Sequence, residues 1–177
     1  MIQALVNQTE LVTFDDFIKW YPEKSIQKYE LHDGVIIEMP KPTGKHSDIA
    51  GFISGELFLE IKRTQALCFI PKECVIKPVQ ESGYEPDVIV LDRQRVINNE
   101  ARWNKESIIT FGTSIRLVIE VVSTNWSDDY ALKLEDYELL GIFEYWIVDC
   151  LALGGRKFIG NPKQPTISIY NLVEGEY

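Results

Sequence analysis

Three short runs of hydrophobic residues lie between the middle of the chain and its last quarter. Residues 86–91, 115–122 and 144–149 are almost continuously apolar and shorter than a typical helix, so they predict strands, the first of them buried on both faces. A helical segment at residues 128–140 separates the last two runs, and Gly141 follows it as a suitable C-terminal residue. This strand–helix–strand order predicts a right-handed unit with parallel strands.

The first part of the chain shows a different pattern. Residues 13–40 predict an N-terminal helix and a hairpin. Thr13 is a suitable helix cap, and the helix should stop at Pro22. Asp33-Gly34 lies between two short apolar stretches, which is a strong signal for a hairpin turn. Apolar residues then recur at helical spacing over residues 46–63, which predicts a long helix.

The remaining segments complete an α/β fold. Further strands are predicted at residues 67–77, 151–159 and 166–172. The polar segment 93–113 is interpreted as a loop or excursion. We therefore expect a mixed central β-sheet flanked by α-helices, in a single domain over residues 1–177. The last strand leads to a turn at Glu174-Gly175 with almost nothing after it, so we expect that a C-terminal piece is lacking.

Composition narrows the class of protein. The 177 residues are 45% hydrophobic and 25% charged, which is ordinary for a globular domain. Cys68, Cys74 and Cys150 form no Cys-x-x-Cys unit, so reduced thiols are expected rather than disulfides or a zinc site. Neither a secretory leader nor an apolar run of about 18 residues is found, so we expect a cytoplasmic protein that does not bind membranes.

The net charge of −9 argues against a general nucleic-acid coat protein, because neutralising phosphates requires Lys and Arg. An enzyme that meets DNA through one local basic patch and metal ions remains compatible with this charge.

Two carboxylates lie at unusual positions in the apolar runs. Glu120 interrupts the strand predicted over residues 115–122, and Asp87 follows Pro86 at the start of the strand predicted over residues 86–91. A carboxylate in such a strand is unfavourable unless it is paired or bound to a metal. If the strands are neighbours, the two acids converge on one cation, and hard oxygen ligands suit Mg²⁺. The alternative is a pair of structural carboxylates satisfied by the backbone or by Arg.

Lys133 shares a face of the predicted helix with Tyr130, Leu134 and Tyr137. A lysine on this stripe can reach a site at the end of the sheet. The alternative is a lysine whose stem packs against the protein while its ammonium meets water.

Four blocks of sequence resemble the Uma-two family of restriction endonucleases, which lies within the PD-(D/E)XK nuclease superfamily. The resemblance extends over nearly the whole chain from about residue 11, including residues 29–34 and His46 at the head of the long helix. The four blocks are Pro86-Asp87, Val118 to Ser123, Tyr130 to Tyr137 and Gly141 to Asp149.

The resemblance implies a fold and a set of site residues. It implies a restriction-endonuclease-like fold in which Asp87 and Glu120 bind metal. The superfamily signature places a lysine two residues after the glutamate, where this chain has Val122. By resemblance, Lys133 on the following helix replaces that lysine. Glu30, His46 and Tyr137 are candidate supporting residues at the same site.

The expected function follows from this site. We expect a metal-dependent endonuclease that hydrolyses DNA phosphodiester bonds with Mg²⁺ or Mn²⁺, acting as a homodimer because duplex cleavage needs two active sites. The alternative is a non-catalytic nucleic-acid-binding or protein-binding module that keeps the nuclease fold. The acidic charge and Val122 favour that alternative.

Overall fold

The structure is a computed structural model that describes residues 11–21 and 27–177. The expected helix stop at Pro22 lies outside these residues. The helices are α1 (Phe14–Trp20), α2 (Gly44–Thr64), α3 (Arg93–Asn99), α4 (Trp103–Glu106), α5 (Lys133–Leu140) and α6 (Arg156–Ile159). The strands are β1 (Lys28–His32), β2 (Val35–Met39), β3 (Cys68–Phe69), β4 (Val75–Ile76), β5 (Val88–Asp92), β6 (Ile108–Ile109), β7 (Ile115–Val121), β8 (Glu144–Asp149) and β9 (Thr166–Asn171). A π-helical turn, Asp128–Leu132, precedes α5.

The central sheet has five strands in the order β3-β5-β7-β8-β9. β7 and β8 are parallel and are connected through α5, as the apolar pattern predicts. The other neighbouring strands are antiparallel. The expected α/β fold with a mixed central sheet and helices is therefore confirmed.

Each face of the sheet has its own hydrophobic layer. On one face, Ile53 and Leu57 of α2 pack against a cluster that includes Val90 and Ile119. Tyr137 of α5 and Tyr145 of β8 belong to a second, larger cluster. β5 contributes buried residues to both clusters, which explains why its sequence is apolar without alternation.

The N-terminal helix and hairpin form as predicted. The Thr13 side chain accepts a hydrogen bond from the Asp16 N–H and caps α1. β1 and β2 pair as an antiparallel hairpin. Asp33 and Gly34 at the turn have φ angles of 47° and 81°, the left-handed conformation that a two-residue turn of this kind requires. Phe14 and Leu31 then share a small core that joins α1 to the hairpin.

Three predictions of secondary structure are wrong. The strand expected over residues 67–77 is two separate short strands, β3 in the central sheet and β4 paired with β6. Residues 93–113 are not a loop, because they contain α3, α4 and β6. The strand expected over residues 151–159 is a turn followed by α6, because the Asp149 carboxylate accepts hydrogen bonds from the N–H groups of Leu153 and Gly154 and bends the chain.

The start of α3 depends on one carboxylate, which gives a test of the fold. Asp92 Oδ1 accepts a hydrogen bond from the Arg95 N–H at 3.0 Å, and its Oδ2 lies 2.6 Å from the Arg116 guanidinium. The Arg95 hydrogen bond and the Arg116 charge lower the pKa of Asp92. We expect Asp92→Ala to reduce the free energy of unfolding in urea by about 1–2 kcal/mol at pH 7.

The contribution of the Asp92 charge to the free energy of unfolding should depend on pH. A carboxyl with a lowered pKa stabilises the folded state above its unfolded pKa of about 4, and this contribution disappears as the pH falls through the folded pKa. The difference in free energy of unfolding between wild type and Asp92→Ala should therefore shrink in acid. Asp92→Asn keeps the capping oxygen and removes the charge, so its free energy of unfolding at pH 7 should fall by less than that of Asp92→Ala. An unchanged difference at low pH would contradict the role of the charge.

Candidate active site

A cleft of about 450 Å³ opens at one end of the central sheet. Because β5 and β7 are antiparallel, the start of β5 and the end of β7 lie at the same end. Asp87 precedes β5, and Glu120 is the second-last residue of β7. Among the residues that line the cleft are the candidates Asp87, Glu120, Lys133, Glu30 and His46.

Asp87 is held by groups from two elements. Its Oδ2 accepts a hydrogen bond from the Val121 N–H at 2.8 Å and lies 3.1 Å from His46 Nε2. The backbone nitrogen of Asp87 lies 3.4 Å from Glu120 Oε2, so the two predicted residues are neighbours at this end of the sheet. The hydrogen bond to Asp87 raises the pKa of His46 although burial opposes this. His46 reaches Asp87 because Thr43 caps the first turn of α2, where His46 lies.

Glu120 is buried beneath the cleft. Its Oε1 accepts hydrogen bonds from Lys133 Nζ at 3.2 Å and from the Tyr137 hydroxyl at 3.0 Å. Burial raises the pKa of Glu120 well above its usual range, and the nearby charge of Asp87 acts in the same direction while Lys133 opposes it. Tyr137 does not line the cleft, so it contacts Glu120 from the core side.

Lys133 is surrounded by carboxylates. It is 2% exposed, which contradicts the alternative of an ammonium that meets water. Its Nζ lies 3.2 Å from Glu30 Oε1, 3.2 Å from Glu120 Oε1 and 3.7 Å from Asp129 Oδ1. Burial alone would lower the pKa of Lys133, but Glu120, Glu30 and Asp129 raise it well above its usual range. The ammonium is therefore held charged at the base of the cleft.

Glu30 enters the site from the N-terminal hairpin. Besides Lys133, its Oε1 accepts a hydrogen bond from the Glu85 N–H at 3.1 Å, and its Oε2 lies 2.9 Å from His32 Nε2. Burial favours its neutral form, but Lys133 and His32 together lower the pKa of Glu30. The hairpin is thereby tied to α5 through one buried ion pair.

Asp129 belongs to the site and was not predicted from the sequence. It is 4% exposed, lines the cleft and has the ammonium of Lys133 as its charged partner. Burial raises the pKa of Asp129 to about 7. The signal available in the sequence was its spacing of four residues before Lys133. The π-helical turn, a feature common at functional sites, is not visible in the sequence.

Val122, at the position where the superfamily signature has a lysine, is a core residue. Val122 is 4% exposed and belongs to the larger core cluster, together with Tyr130 and Tyr137. It lies two residues after Glu120, just past the end of β7, and its N–H donates a hydrogen bond to the Val148 carbonyl at 3.0 Å. The Lys133 ammonium reaches Glu120 from α5, so the strand position is free to hold an apolar core residue.

The comparisons with known proteins agree with this architecture. The Uma2 family, described as "Putative restriction endonuclease", matches residues 14–177.

The chain belongs to the Uma2 family.

The expected Uma-two resemblance is thus confirmed, and membership supports a nuclease-like function. A crystal structure described as "a putative nuclease belonging to DUF820 from Anabaena variabilis" is similar to the chain with a TM-score of 0.61 and 22% identity. The similarity covers 90% of this chain and 84% of the other, and at this identity it concerns the fold. No curated protein sequence matches the chain significantly. Among the described residues, no helix has the length and apolarity needed to cross a membrane.

The Uma2 site carries more acid than base. The acids that line the cleft are Glu30, Glu85, Asp87, Glu120 and Asp129, and the bases are Lys28, Lys41, His46 and Lys133. Within residues 11–21 and 27–177, no three side chains of His, Cys, Asp or Glu are grouped so that they hold a metal ion by themselves. A cation here would rely on one or two carboxylates together with water or substrate oxygens, which is the usual way in which proteins bind Mg²⁺.

The buried ion cluster gives a prediction about stability. Lys133→Met keeps much of the stem but leaves Glu30 and Glu120 buried without their cation. We expect the free energy of unfolding to fall by about 3–5 kcal/mol, measured by urea denaturation monitored by circular dichroism.

A double-mutant cycle separates the ion pair from simple packing. In the Lys133→Met background, Glu30→Gln should lower the free energy of unfolding by less than it does in wild type, because the charged partner of Glu30 is already absent. Lys62→Met, at an exposed position on α2, should change stability by less than about 0.5 kcal/mol. Strictly additive effects of the Lys133 and Glu30 changes would show that the pair does not stabilise the fold.

Proposed function

We propose that this protein is a metal-dependent endonuclease that hydrolyses the phosphodiester bonds of DNA. One observation carries the proposal: Asp87, Glu120 and the buried ammonium of Lys133 converge at the end of the sheet, in one cleft. Two acids without a cation are also found in purely structural sites. The charged lysine held against them adds the electrostatic stabilisation that phosphoryl transfer requires.

The donor set suits a divalent cation. Asp87 and Glu120 would hold Mg²⁺ or Mn²⁺, because their carboxylates supply hard oxygen ligands and the site has an excess of negative charge. When bound, the ion supplies Lewis-acid polarisation of the phosphoryl oxygen and lowers the pKa of a bound water.

The protein's own residues orient the reacting groups. The Lys133 ammonium lies at the base of the cleft, where it is available to stabilise negative charge that develops on the phosphate. Tyr137 and Lys133 both donate to Glu120 Oε1 and so fix the orientation of that carboxylate. His46 and the Val121 N–H fix Asp87 in the same way. Glu30 restrains the lysine.

A second candidate function is supported by the same cluster. Three carboxylates surround Lys133, and Val122 occupies the usual lysine position. Such an arrangement also fits a non-catalytic module that binds nucleic acid or protein and keeps the nuclease fold.

The proposal includes a homodimer, because cutting both strands of a duplex requires two active sites. The edge strand β9 supports an association between copies. It contains no charged residue, and Ile167 and Ile169 are 59% and 52% exposed, so its edge lacks the charges that usually prevent strand pairing.

Cleavage assays test the endonuclease proposal. Wild-type protein incubated with supercoiled and linear DNA should nick or cut it in the presence of Mg²⁺ or Mn²⁺ and not in EDTA. Asp87→Asn keeps an oxygen for the Val121 N–H and removes the charge, so its rate should fall by about 10²-fold or more, read on agarose gels.

Asp48→Asn is the matched control, because Asp48 is exposed on α2 and does not line the cleft. Its cleavage rate should equal that of wild type. If Asp87→Asn also cleaves at the wild-type rate, the activity does not come from this site. If wild type cleaves no DNA with either metal, the binding-module function is favoured.

Metal binding has a readout that does not depend on cleavage. An ion that binds only the folded protein raises its stability, by about 2.7 kcal/mol at a concentration 100 times the dissociation constant. We therefore expect the melting temperature of wild type to rise with Mg²⁺ concentration in differential scanning fluorimetry. Glu120→Gln should abolish the shift. Glu56→Gln, at an exposed position on α2, should keep it.

A further inference from the structure

Positive charge is distributed unevenly in this acidic protein. The chain has a net charge of −9, yet residues 39–47 and 150–173 contain no Asp or Glu. These two segments carry Lys41, Lys45, Arg156, Lys157 and Lys163. We call them the first and the second basic rim. The rest of the chain is therefore even more acidic than the net charge suggests.

Both basic rims border the cleft of the candidate active site. The first rim follows β2 and enters α2, and Lys41, Thr43 and His46 line the cleft. The second rim follows β8, and Leu153 lines the cleft. Lys163 Nζ donates a hydrogen bond to the Leu153 carbonyl at 3.0 Å, which places its ammonium beside a residue of the cleft wall.

Aromatic contacts anchor the second rim. Phe158 stacks on Tyr130 with ring centroids 4.6 Å apart, and Tyr130 is buried next to Asp129. Gly155 packs so closely against the Trp126 ring that an added Cβ would lie 3.0 Å from it. Arg156 and Lys157 therefore start from a backbone that is fixed against the loop between β7 and α5.

Among residues 11–21 and 27–177, the cations of both rims have no acidic partner. Lys41, Lys45, Arg156, Lys157 and Lys163 are all exposed. None of them forms an ion pair with the residues that the structure describes, whereas Arg102 and Arg116 elsewhere are each paired with carboxylates. Lys41 lines the cleft, and the other four cations belong to segments that contribute residues to its wall. In a protein that is otherwise acidic, exposed cations with this placement are arranged for an external anion.

We propose that the two basic rims bind the phosphate backbone of duplex DNA on either side of the cleft. The proposal rests on the proposed function, because it adds a DNA-binding surface to that site. The acidic remainder of the surface repels phosphates, whereas the two basic rims attract them. This charge pattern directs the duplex to the cleft. Contacts of this kind position DNA without reading its sequence.

Salt-dependent binding tests the proposal. Binding of a fluorescein-labelled duplex to Asp87→Asn protein is followed by fluorescence anisotropy in EDTA over a series of salt concentrations. The logarithm of the association constant falls linearly with the logarithm of salt concentration, with a slope of about 0.9 per phosphate contacted. Arg156→Gln/Lys157→Gln/Lys163→Gln should reduce the slope by about 2–3 if all three contact phosphate. Lys41→Gln/Lys45→Gln should reduce it by about 1–2.

The matched control removes equal charge elsewhere. Lys19→Gln/Lys62→Gln/Lys105→Gln changes three exposed lysines that do not line the cleft, and its slope should remain that of the parent. Arg156→Gln/Lys157→Gln retains the Lys163 hydrogen bond to Leu153, so it reports on the charges even if the triple variant is less stable.

The outcomes distinguish this proposal from the proposed function. If the salt dependence of binding becomes weaker in the rim variants and stays unchanged in the control, the result supports DNA binding by the rims. This holds even if wild type proves unable to cut DNA. Equal slopes for the rim variants and the control overturn the rims, even if wild type cleaves efficiently. A parent protein that binds no duplex at low salt also overturns them.

Discussion

The arrangement of this protein depends on one buried ammonium. Lys133 is charged, almost inaccessible to water and shared by Glu30, Glu120 and Asp129, which come from β1, β7 and the π-helical turn. A buried cation without partners would be strongly destabilising, so these elements can pack only when their carboxylates meet it. The same requirement brings the N-terminal hairpin, far away in the sequence, to the end of the central sheet.

The antiparallel pairing of β5 and β7 decides what surrounds this ammonium. It brings the residue before β5 to the end of β7, so that Asp87 meets Glu120 and the Val121 N–H. α2 begins at the same place and contributes His46 to Asp87. The result is a cluster with more carboxylates than cations, in which burial raises the pKa of Glu120 and of Asp129. Such a cluster is suited to an additional cation, which connects the stability of the fold to the proposed chemistry.

Charge is organised on two scales around this site. At the base of the cleft, acids are in excess and Lys133 is held among three of them. At its borders, acid-free segments carry exposed lysines and an arginine that form no ion pair within the part of the chain that the structure describes. The carboxylates at the floor of the cleft are suited to a metal ion. The positively charged borders are suited to the nucleic-acid polyanion on which that ion would act. The overall charge of −9 therefore says little about the partner, because the relevant charges are local.

The sequence by itself determined the elements whose pattern is local. The Thr13 cap, the Asp33-Gly34 turn and the apolar runs that became β5, β7 and β8 are encoded by neighbouring residues, and the parallel connection of β7 to β8 follows from chain direction and handedness. The out-of-place Glu120 and the resemblance to the Uma2 family indicated the candidate site residues.

Only the tertiary structure decided that Asp129 joins the site and that Glu30 shares Lys133 with Glu120, because a π-helical turn and a contact between residues 103 positions apart leave no periodic signal. Residues 93–113 and 151–159 were misassigned for a different reason. The Asp92 carboxylate accepts a hydrogen bond from the Arg95 N–H at the start of α3, and the Asp149 carboxylate accepts hydrogen bonds from the N–H groups of Leu153 and Gly154. Polar contacts of this kind leave no trace in the hydrophobic pattern from which the strands and loops were predicted.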